Sequence, residues 1–212
     1  DNEIEHYRKV FQALKDRGVE PMVTLWHFTL PLWFAKKGGF ENRKAPEIFA
    51  KYCGYVVERL AASEATAGQR GTGAKFWITM NEPMVYSGKG YLGRGWPPFK
   101  NNIFKFIKVI NNLAMSHNMA YQKIKSVNQN IQVGIAADNV NYLSDNNPFN
   151  RLVSIFLNWF RNRRFLNRIK QYQDFIGVNY YRPIQYGRRY NLEKVKNGSQ
   201  VWEIYPKGIY NV

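Results

Sequence analysis

Four short apolar runs, separated by stretches of helical periodicity, constrain the fold of this 212-residue chain more than any other feature. The runs are rich in aromatic and β-branched residues, and polar residues follow them, as is typical of buried strands. They are Pro21–Trp26, Lys75–Met80, Ile131–Ala136 and Phe175–Val178. Because strands that alternate with helices favour a parallel sheet with right-handed crossovers, we predict an α/β fold of four β/α units.

The helices are predicted from apolar residues that recur at spacings of three and four positions. The first contains Ile4, Tyr7, Phe11 and Leu14 at this spacing, and Gly18 supplies a stop signal at its end. The others are predicted over Pro46–Leu60, around Ile103–Ile124 and within Asn147–Ile169.

Three segments are predicted to lie outside these helices and strands. Residues 61–74 lack large apolar side chains and are rich in Ala, Gly, Ser and Thr, which predicts a mobile surface insert within a single domain of residues 1–212. The segment Ser87–Lys100 carries four glycines and is predicted to be a loop. The polar segment Tyr186–Gln200 fits either a projecting hairpin or a loop.

The chain is strongly basic, with 31 Lys and Arg against 15 Asp and Glu and a formal charge of +16. Such a charge fits nucleic acid, an anionic membrane surface or polyanionic glycans. The densest cationic run, Arg161–Lys170, also fits the solvated face of an amphipathic helix with Phe165 and Ile169 turned to the core. A further explanation is that sequence outside these residues balances the charge.

The single cysteine, Cys53, excludes an intrachain disulfide. It lies at helical spacing with Phe49 and Val57, which predicts a buried core residue and not a catalytic thiol. We expect a reducing, cytoplasmic location on this ground. No apolar run reaches the length of about 18 residues that a membrane-spanning helix needs.

The run Trp77–Pro83 places Asn81 and Glu82 at the end of a predicted strand, because Pro83 cannot donate to a sheet ladder. A carboxylate at the C-terminal end of a parallel strand is where β/α barrels carry out chemistry. From the local pattern alone, two other interpretations of Glu82 remain: it caps the next helix, or it meets solvent.

The hexapeptide Ile78–Pro83 resembles the acid/base signature of glycoside hydrolase family 1, the β-glucosidase and β-galactosidase family. Three more segments resemble motifs of that family in the same order: Thr24–Pro31, Asp174–Tyr181 and Trp202–Tyr210. The resemblance covers nearly the whole chain and implies a (β/α)8 TIM barrel. It further implies that this chain is a central portion, with about four β/α units that resemble strands three to six.

The resemblance implies roles for five polar residues. Glu82 matches the acid/base, which protonates the departing oxygen and later takes a proton from water. Asn81 matches a residue that hydrogen-bonds the sugar 2-hydroxyl, and His27 one that binds a sugar hydroxyl. Tyr181 matches the tyrosine that orients the nucleophile, and Asn179 a polar residue of the same pocket. Without the resemblance, Asn81 would be interpreted as a backbone cap and His27 as a structural residue.

Two tryptophans are candidate platforms for the substrate. Trp33 and Trp96 lie in predicted loops that follow strands on the catalytic side, where rings can stack on the flat C–H faces of a sugar. A packing role fits both residues equally well.

The sequence departs from the commoner family pattern at Phe28, where Trp is common, and at Thr29, where Asp is common.

The family places its nucleophile in a Thr-Glu-Asn-Gly run on the seventh strand, and no such run occurs in this sequence. Asp138 follows the third predicted strand and is interpreted as a polar loop residue, so no nucleophile is assigned within the chain. His117 lies on the apolar stripe of its helix, which predicts a buried, hydrogen-bonded imidazole. Neither clustered metal ligands nor a phosphate-binding loop occurs, so no metal and no cofactor are predicted.

Two functions of different classes follow from these residues. The first is a retaining β-glycosidase that hydrolyses terminal β-glucosides or β-galactosides by double displacement, with the acid/base half of the site in this chain. The alternative is a catalytically silent half-barrel that binds sugars or polyanions. The expected partners are a β-linked mono- or oligosaccharide and either the remaining barrel segments or a second copy of the chain. Nucleic acid is not an expected partner, and we expect the 212 residues alone to be inactive.

Overall fold

The computed structural model describes residues 2–61, 73–187, 192–197 and 200–212. The helices within these residues are Asn2–Lys15 (α1), Leu32–Lys36 (α2), Ala45–Leu60 (α3), Pro83–Tyr91 (α4), Ile103–Val127 (α5), Pro148–Asn158 (α6) and Arg164–Ile169 (α7). The strands are Met22–Thr24 (β1), Phe76–Asn81 (β2), Gln132–Ser144 (β3), Phe175–Tyr186 (β4), Lys194–Asn197 (β5) and Gln200–Glu203 (β6). A π-helical turn, Trp159–Arg163, joins α6 to α7.

Strands β1 to β4 form one sheet in the order β1-β2-β3-β4. Strand β2 pairs in parallel with both of its neighbours, since Phe76 is the partner of Met22 on β1 and of Gln132 on β3. Helices connect the successive strands, as the alternating apolar pattern predicted. The predicted class, an α/β fold with parallel β/α units, is therefore confirmed.

Strand β3 is longer than the apolar pattern predicted, since it continues from Ala136 to Ser144. In this extension Asn139 and Asn141 are buried while the intervening Val140 is partly exposed. A search for apolar runs misses such a strand, because its inward positions carry amides. Strand β4 also continues beyond its predicted end, to Tyr186.

The predicted loop that begins at Ser87 is wrong in its first part, because α4 continues to Tyr91. The Ser87 hydroxyl donates to the carbonyl oxygen of Pro83 over 2.8 Å, so a residue that often favours turns is bonded within the helix. For the predicted insert at 61–74, residues 62–72 lie outside the described residues. Its two ends meet, since Ala61 and Ala74 form a parallel bridge.

The chain divides into two compact units. The first comprises Asp1–Ala136 and Ile169–Gly177, and the second Ala137–Arg168 and Val178–Val212. In the first unit α3 packs against α5, and the largest buried side chains include those of Trp77, Phe40, Ile110, Leu113 and Ile124. Cys53 is completely buried in this unit, which confirms its predicted position in the core.

The second unit contains the C-terminal halves of β3 and β4, the helix α6 and the antiparallel pair β5–β6. This pair overlaps the predicted segment Tyr186–Gln200 only from Lys194 and extends beyond it to Glu203. Residues 188–191 and 198–199 of the predicted segment lie outside the described residues. Phe165 is buried in the second unit and Ile169 in the first, so both residues of the cationic run that were predicted to face the core do so.

Candidate active site

Glu82 directly follows β2 and begins the turn into α4. Its backbone adopts φ 45° and ψ 57°, a left-handed conformation that a non-glycine residue before proline rarely takes. The backbone N–H of Glu82 donates to the carbonyl oxygen of Ala136 on β3 over 2.7 Å, which holds this conformation against its cost of about 1–3 kcal/mol. Backbone strain of this kind is concentrated at functional sites, so the conformation of Glu82 indicates a functional residue.

The two alternative interpretations of Glu82 do not fit the structure. Glu82 occupies the N-cap position of α4, but its side chain makes no capping hydrogen bond to that helix. The residue is 7% exposed, so it is not a carboxylate in open solvent. A buried acidic residue at a strand end is consistent with chemistry at this position.

A bulge in β2 determines where Asn81 and Glu82 emerge from the sheet. Ile78 pairs with Gly134 and Asn81 with Ala136, so β2 places two residues where β3 places one. The extra residue shifts the end of β2 by one position relative to β3. Without it, Asn81 would lie beside the residue that follows Ala136.

The bulge is tied to the helix layer by His117 on α5, which is completely buried. The Nε2 atom of His117 lies 2.6 Å from the carbonyl oxygen of Tyr172, which can only accept, so Nε2 carries the proton. The Nδ1 atom therefore accepts from the hydroxyl of Thr79, in the bulge, over 2.7 Å. Burial lowers the pKa of His117 to about 4, and the bond to Tyr172 opposes this shift without cancelling it. The prediction of a buried, hydrogen-bonded His117 is confirmed.

His27 and Asn81 lie at neighbouring positions of adjacent chain segments in the first unit. The N–H of Leu25 donates to the carbonyl oxygen of Ile78 over 2.8 Å, and the N–H of Asn81 donates to the carbonyl oxygen of Trp26 over 2.9 Å. Backbone pairing therefore continues past the end of β1 as far as the residue before His27. The His27 side chain is exposed, whereas Asn81 is buried.

The two candidate tryptophans contact different parts of the first unit. Trp33 lies on α2 and not in a loop as predicted, since α2 begins directly after Pro31. It is exposed, and with His27 it lines a cavity of about 390 Å³. Trp96 lies in the loop after α4, and its ring centroid is 4.8 Å from that of Phe28. Trp96 lines a second cavity, of about 490 Å³. Glu82 lines neither of these cavities.

The remaining two candidates, Asn179 and Tyr181, lie on β4 within the second unit. Asn179 is partly buried. The exposed ring of Tyr181 meets Trp202 edge to face at a centroid distance of 5.4 Å. The hydroxyl of the neighbouring Tyr180 donates to the carbonyl of Tyr205 over 2.8 Å. The last predicted motif, Trp202–Tyr210, therefore supports the aromatic side chains of β4.

Asp138 was predicted to be a polar loop residue, and that prediction is wrong. It lies within β3, because the strand continues beyond Ala136. Its carboxylate forms an ion pair with the guanidinium of Arg161 in the π-helical turn. The sequence signal for this pair is the occurrence of an acidic residue, Asp138, at the end of a predicted strand and of a cationic run, Arg161–Lys170, in the helical segment that follows. Thr79, the partner of His117, was also missed, although it stands inside the acid/base motif.

The described residues contain no cluster of three or more His, Cys, Asp or Glu side chains that could hold a metal ion. In the same part of the chain, no helix has the length and apolar character that crossing a bilayer requires.

Comparison with known proteins identifies the family. Residues 1–165 match the sequence profile of glycosyl hydrolase family 1. A 1,4-beta-D-glucan glucohydrolase of Thermotoga neapolitana is 26% identical over 98% of this chain and 55% of its own length. A beta-galactosidase of Sulfolobus acidocaldarius is 28% identical over 99% of this chain and 50% of its own length. The solved structure of a beta-glycosidase from Pyrococcus horikoshii matches with a TM-score of 0.78 at 30% identity, over 99% of this chain and 53% of that one.

The fold and these matches define the class of protein: four strands in one sheet, joined by helices, that form part of a (β/α)8 barrel of the kind that glycosidases use. The chain belongs to glycosyl hydrolase family 1. It spans about half the length of the curated relatives that it matches. The family implied by Ile78–Pro83 and the three other motifs is thereby confirmed.

Proposed function

We propose that this chain supplies the acid/base half of a retaining β-glycosidase site for terminal β-glucosides or β-galactosides. The observation that carries the proposal is the backbone of Glu82, which is strained, buried and bonded to Ala136 at the end of β2. A structural carboxylate gains nothing from a left-handed conformation before Pro83. A carboxylate that must be aimed at a glycosidic oxygen does, because catalysis depends on orientation.

In the first step, the protonated Glu82 donates its proton to the glycosidic oxygen while the second carboxylate attacks the anomeric carbon. The bond from that carbon to the leaving oxygen breaks, and the alcohol departs. In the second step, Glu82 takes a proton from a water molecule, and the water oxygen displaces the second carboxylate from the anomeric carbon. Glu82 thereby regains its proton.

His27 and Asn81 are proposed to bind hydroxyls of the non-reducing-end sugar. Their support is the pairing of Trp26 with Asn81, which brings the two segments out of the sheet side by side. The buried amide of Asn81 suits a fixed contact with the 2-hydroxyl. The exposed indole of Trp33, on the rim of the cavity that His27 also lines, suits stacking against a sugar face. Trp96, held against Phe28, is proposed to act in the same way.

The second carboxylate is proposed to come from a polypeptide segment other than the copy of residues 1–212 that carries Glu82. The support is the lack of a Thr-Glu-Asn-Gly run in the sequence and the engagement of Asp138 with Arg161. Tyr181 and Asn179 are proposed to orient that carboxylate and to line its pocket. The source is either the remaining barrel segments or a second copy of this chain.

The experiment is complementation with an aryl β-glucoside and an aryl β-galactoside. The chain is purified to verified mass and assayed alone and after mixing with the complementary half of a family 1 barrel. Activity that needs both halves and is lowered by Glu82→Gln supports the proposal. Activity of the mixture that is indifferent to Glu82→Gln contradicts it, because the carboxylate would then have no part in the reaction.

A further inference from the structure

Helix α6 is attached to the second unit by its polar side chains. The hydroxyl of Ser154 donates to the carbonyl oxygen of Tyr142 on β3 over 2.6 Å, and the amide of Asn158 donates to the same oxygen over 3.3 Å. One turn further, Asn162 both donates to the carbonyl of Val140 and accepts from its N–H, over 2.8 and 3.0 Å. A strand backbone thus holds the polar face of the helix, where a helix of a soluble protein ordinarily packs its apolar face.

The apolar face of α6 and the π-helical turn consequently points away from the unit that holds it. Five large side chains form this face, and each is 46–70% exposed: Phe149, Leu152, Ile155, Phe156 and Trp159. They recur at spacings of three and four residues, so they form one continuous stripe. Scattered exposed apolar residues are ordinary, but a contiguous stripe of this size indicates a surface that meets something apolar.

Positive charge accompanies the stripe. Arg151 lies one turn before Ile155, Arg163 lies about one turn after Trp159, and both are exposed. Residues 146–173 contain six Lys and Arg and no Asp or Glu. Arg161, in the π-helical turn, pairs with Asp138 on β3 and fixes the turn to the strand.

We propose that this face of α6, from Phe149 to Trp159 with Arg151 and Arg163, docks on a bilayer surface that carries anionic lipids. Large aromatic and aliphatic side chains on one face with arginines at its flank are the composition of helices that lie in the membrane interface. Trp159 and the two phenylalanines suit the headgroup boundary. The choice of lipid over a protein partner rests on charge complementarity, because a cationic region free of acids matches an anionic surface of any local shape.

The experiment is flotation of the full 212-residue chain with vesicles of phosphatidylcholine and phosphatidylglycerol, and with vesicles of phosphatidylcholine alone. The double variant Leu152→Gln/Ile155→Gln is expected to lower the partition coefficient about tenfold or more, because it removes apolar area from the stripe. Arg163→Gln is expected to lower binding to the anionic vesicles about fivefold and to leave binding to the neutral ones unchanged. Raised salt should remove the difference between the two vesicle types.

Phe104→Gln is the matched control, since Phe104 is 83% exposed but lies on α5. It should bind vesicles as the unchanged chain does. Brominated lipids should quench the fluorescence of the unchanged chain more than that of Trp159→Phe. The difference reports on Trp159 alone among the six tryptophans, because the variant lacks only that one. All of the altered residues are exposed, so unfolding transitions should coincide.

Two outcomes overturn the proposal. One is that the unchanged chain does not float with the anionic vesicles. The other is that Leu152→Gln/Ile155→Gln binds vesicles normally but converts a dimer into a monomer in sedimentation velocity without lipid. The stripe would then be a contact between two copies of the chain.

Discussion

The backbone N–H of Asn81 donates to the carbonyl oxygen of Trp26 over 2.9 Å, beyond the last residue of β1. This bond keeps two chain segments paired up to the positions where His27 and Glu82 leave them. A candidate sugar ligand and the candidate acid/base are therefore positioned by the same short piece of sheet. The contributions of His27 and Glu82 can be separated, because the effect of Glu82 depends on the leaving group of the substrate and the effect of His27 depends on the sugar.

Replacement of Glu82 by alanine should affect substrates according to their leaving groups. Substrates with poor leaving groups should lose far more activity than activated aryl glycosides, since they depend on the proton that Glu82 supplies. Azide should restore turnover and give a β-glycosyl azide, because the cavity left by the side chain admits a small nucleophile. The assay is hydrolysis by the complemented barrel, with product analysis. An equal loss on both substrate types, without azide rescue, would show that Glu82 is not the acid/base.

His27→Ala and Asn81→Ala should each reduce kcat/KM by an amount that corresponds to about 1–3 kcal/mol of transition-state binding, the loss expected for a polar contact to the sugar. With a 2-deoxy substrate, which lacks the 2-hydroxyl that Asn81 is proposed to bind, Asn81→Ala should no longer reduce kcat/KM. The comparison of both substrates on both variants measures this. Unchanged kcat/KM in the two variants would mean that both residues are structural.

Much of the fold was predictable, because the parallel strands carry the signal that sequence reasoning uses. Phe76–Asn81 has four apolar residues among six and is buried almost throughout, as parallel strands generally are. The extension of β3 was not predictable in this way, since Asn139 and Asn141 occupy buried positions. The parallel sheet was predicted from the alternation of helices and strands, which survives errors at individual boundaries.

The residues of the candidate site were predictable from the sequence, but their arrangement in space was not. Glu82 and Asn81 follow from one motif, but the bulge that aims them has no local signature. It depends on Thr79 and His117, which are 38 residues apart in the chain and meet only through tertiary packing. The pairing of Asp138 with Arg161 was missed for the same reason.

The buried imidazole of His117 should make folding depend on pH. Its folded-state pKa, about 4, lies below the ordinary value of 6.5, because burial disfavours the charged ring. The corresponding stability is fully present above about pH 6.5 and is lost as the pH falls towards 4. The loss should reach about 2–3 kcal/mol near the lower limit. Urea unfolding between these pH values, with an NMR titration of the His117 ring, measures both quantities.

A matched control separates His117 from the other groups that titrate in this range. His117→Gln should be less stable than the unchanged chain at neutral pH, but its stability should fall less steeply on acidification. His6→Gln alters an exposed histidine on α1 and should leave the pH dependence as it is. If His117→Gln and the unchanged chain lose stability in parallel, the imidazole is not the source.

The ion pair between Asp138 and Arg161 should matter for stability and not for chemistry. Asp138→Asn removes the carboxylate from a largely buried guanidinium and should cost about 2–4 kcal/mol. Asp138→Asn/Arg161→Gln should cost less than the single change, since no cation is then left without that partner. Urea unfolding of four proteins, namely the unchanged chain, Asp138→Asn, Arg161→Gln and the double variant, gives the coupling. An Asp138→Asn chain of normal stability that lowers the activity of the complemented barrel would instead indicate a catalytic carboxylate.

The 212 residues alone are expected to show no glycoside hydrolysis. Double displacement needs a second carboxylate about 5–5.5 Å from the first, and the family's motif for it is not in the sequence. The four-stranded sheet also has β1 and β4 at its two edges, where the exposed backbone invites association with other chains. We therefore expect the isolated chain to aggregate or dimerise, and to gain activity when the complementary barrel segments are added.

The decisive measurement combines the assay of the isolated chain with its mass in solution. An inactive chain, monomeric or associated, agrees with a nucleophile supplied from elsewhere. Robust turnover by the isolated chain that Glu82→Ala abolishes would contradict this expectation. A mixture of Glu82→Ala chains with Asp138→Asn chains would then identify the source, because a site shared between two copies recovers part of its activity when each copy lacks a different carboxylate.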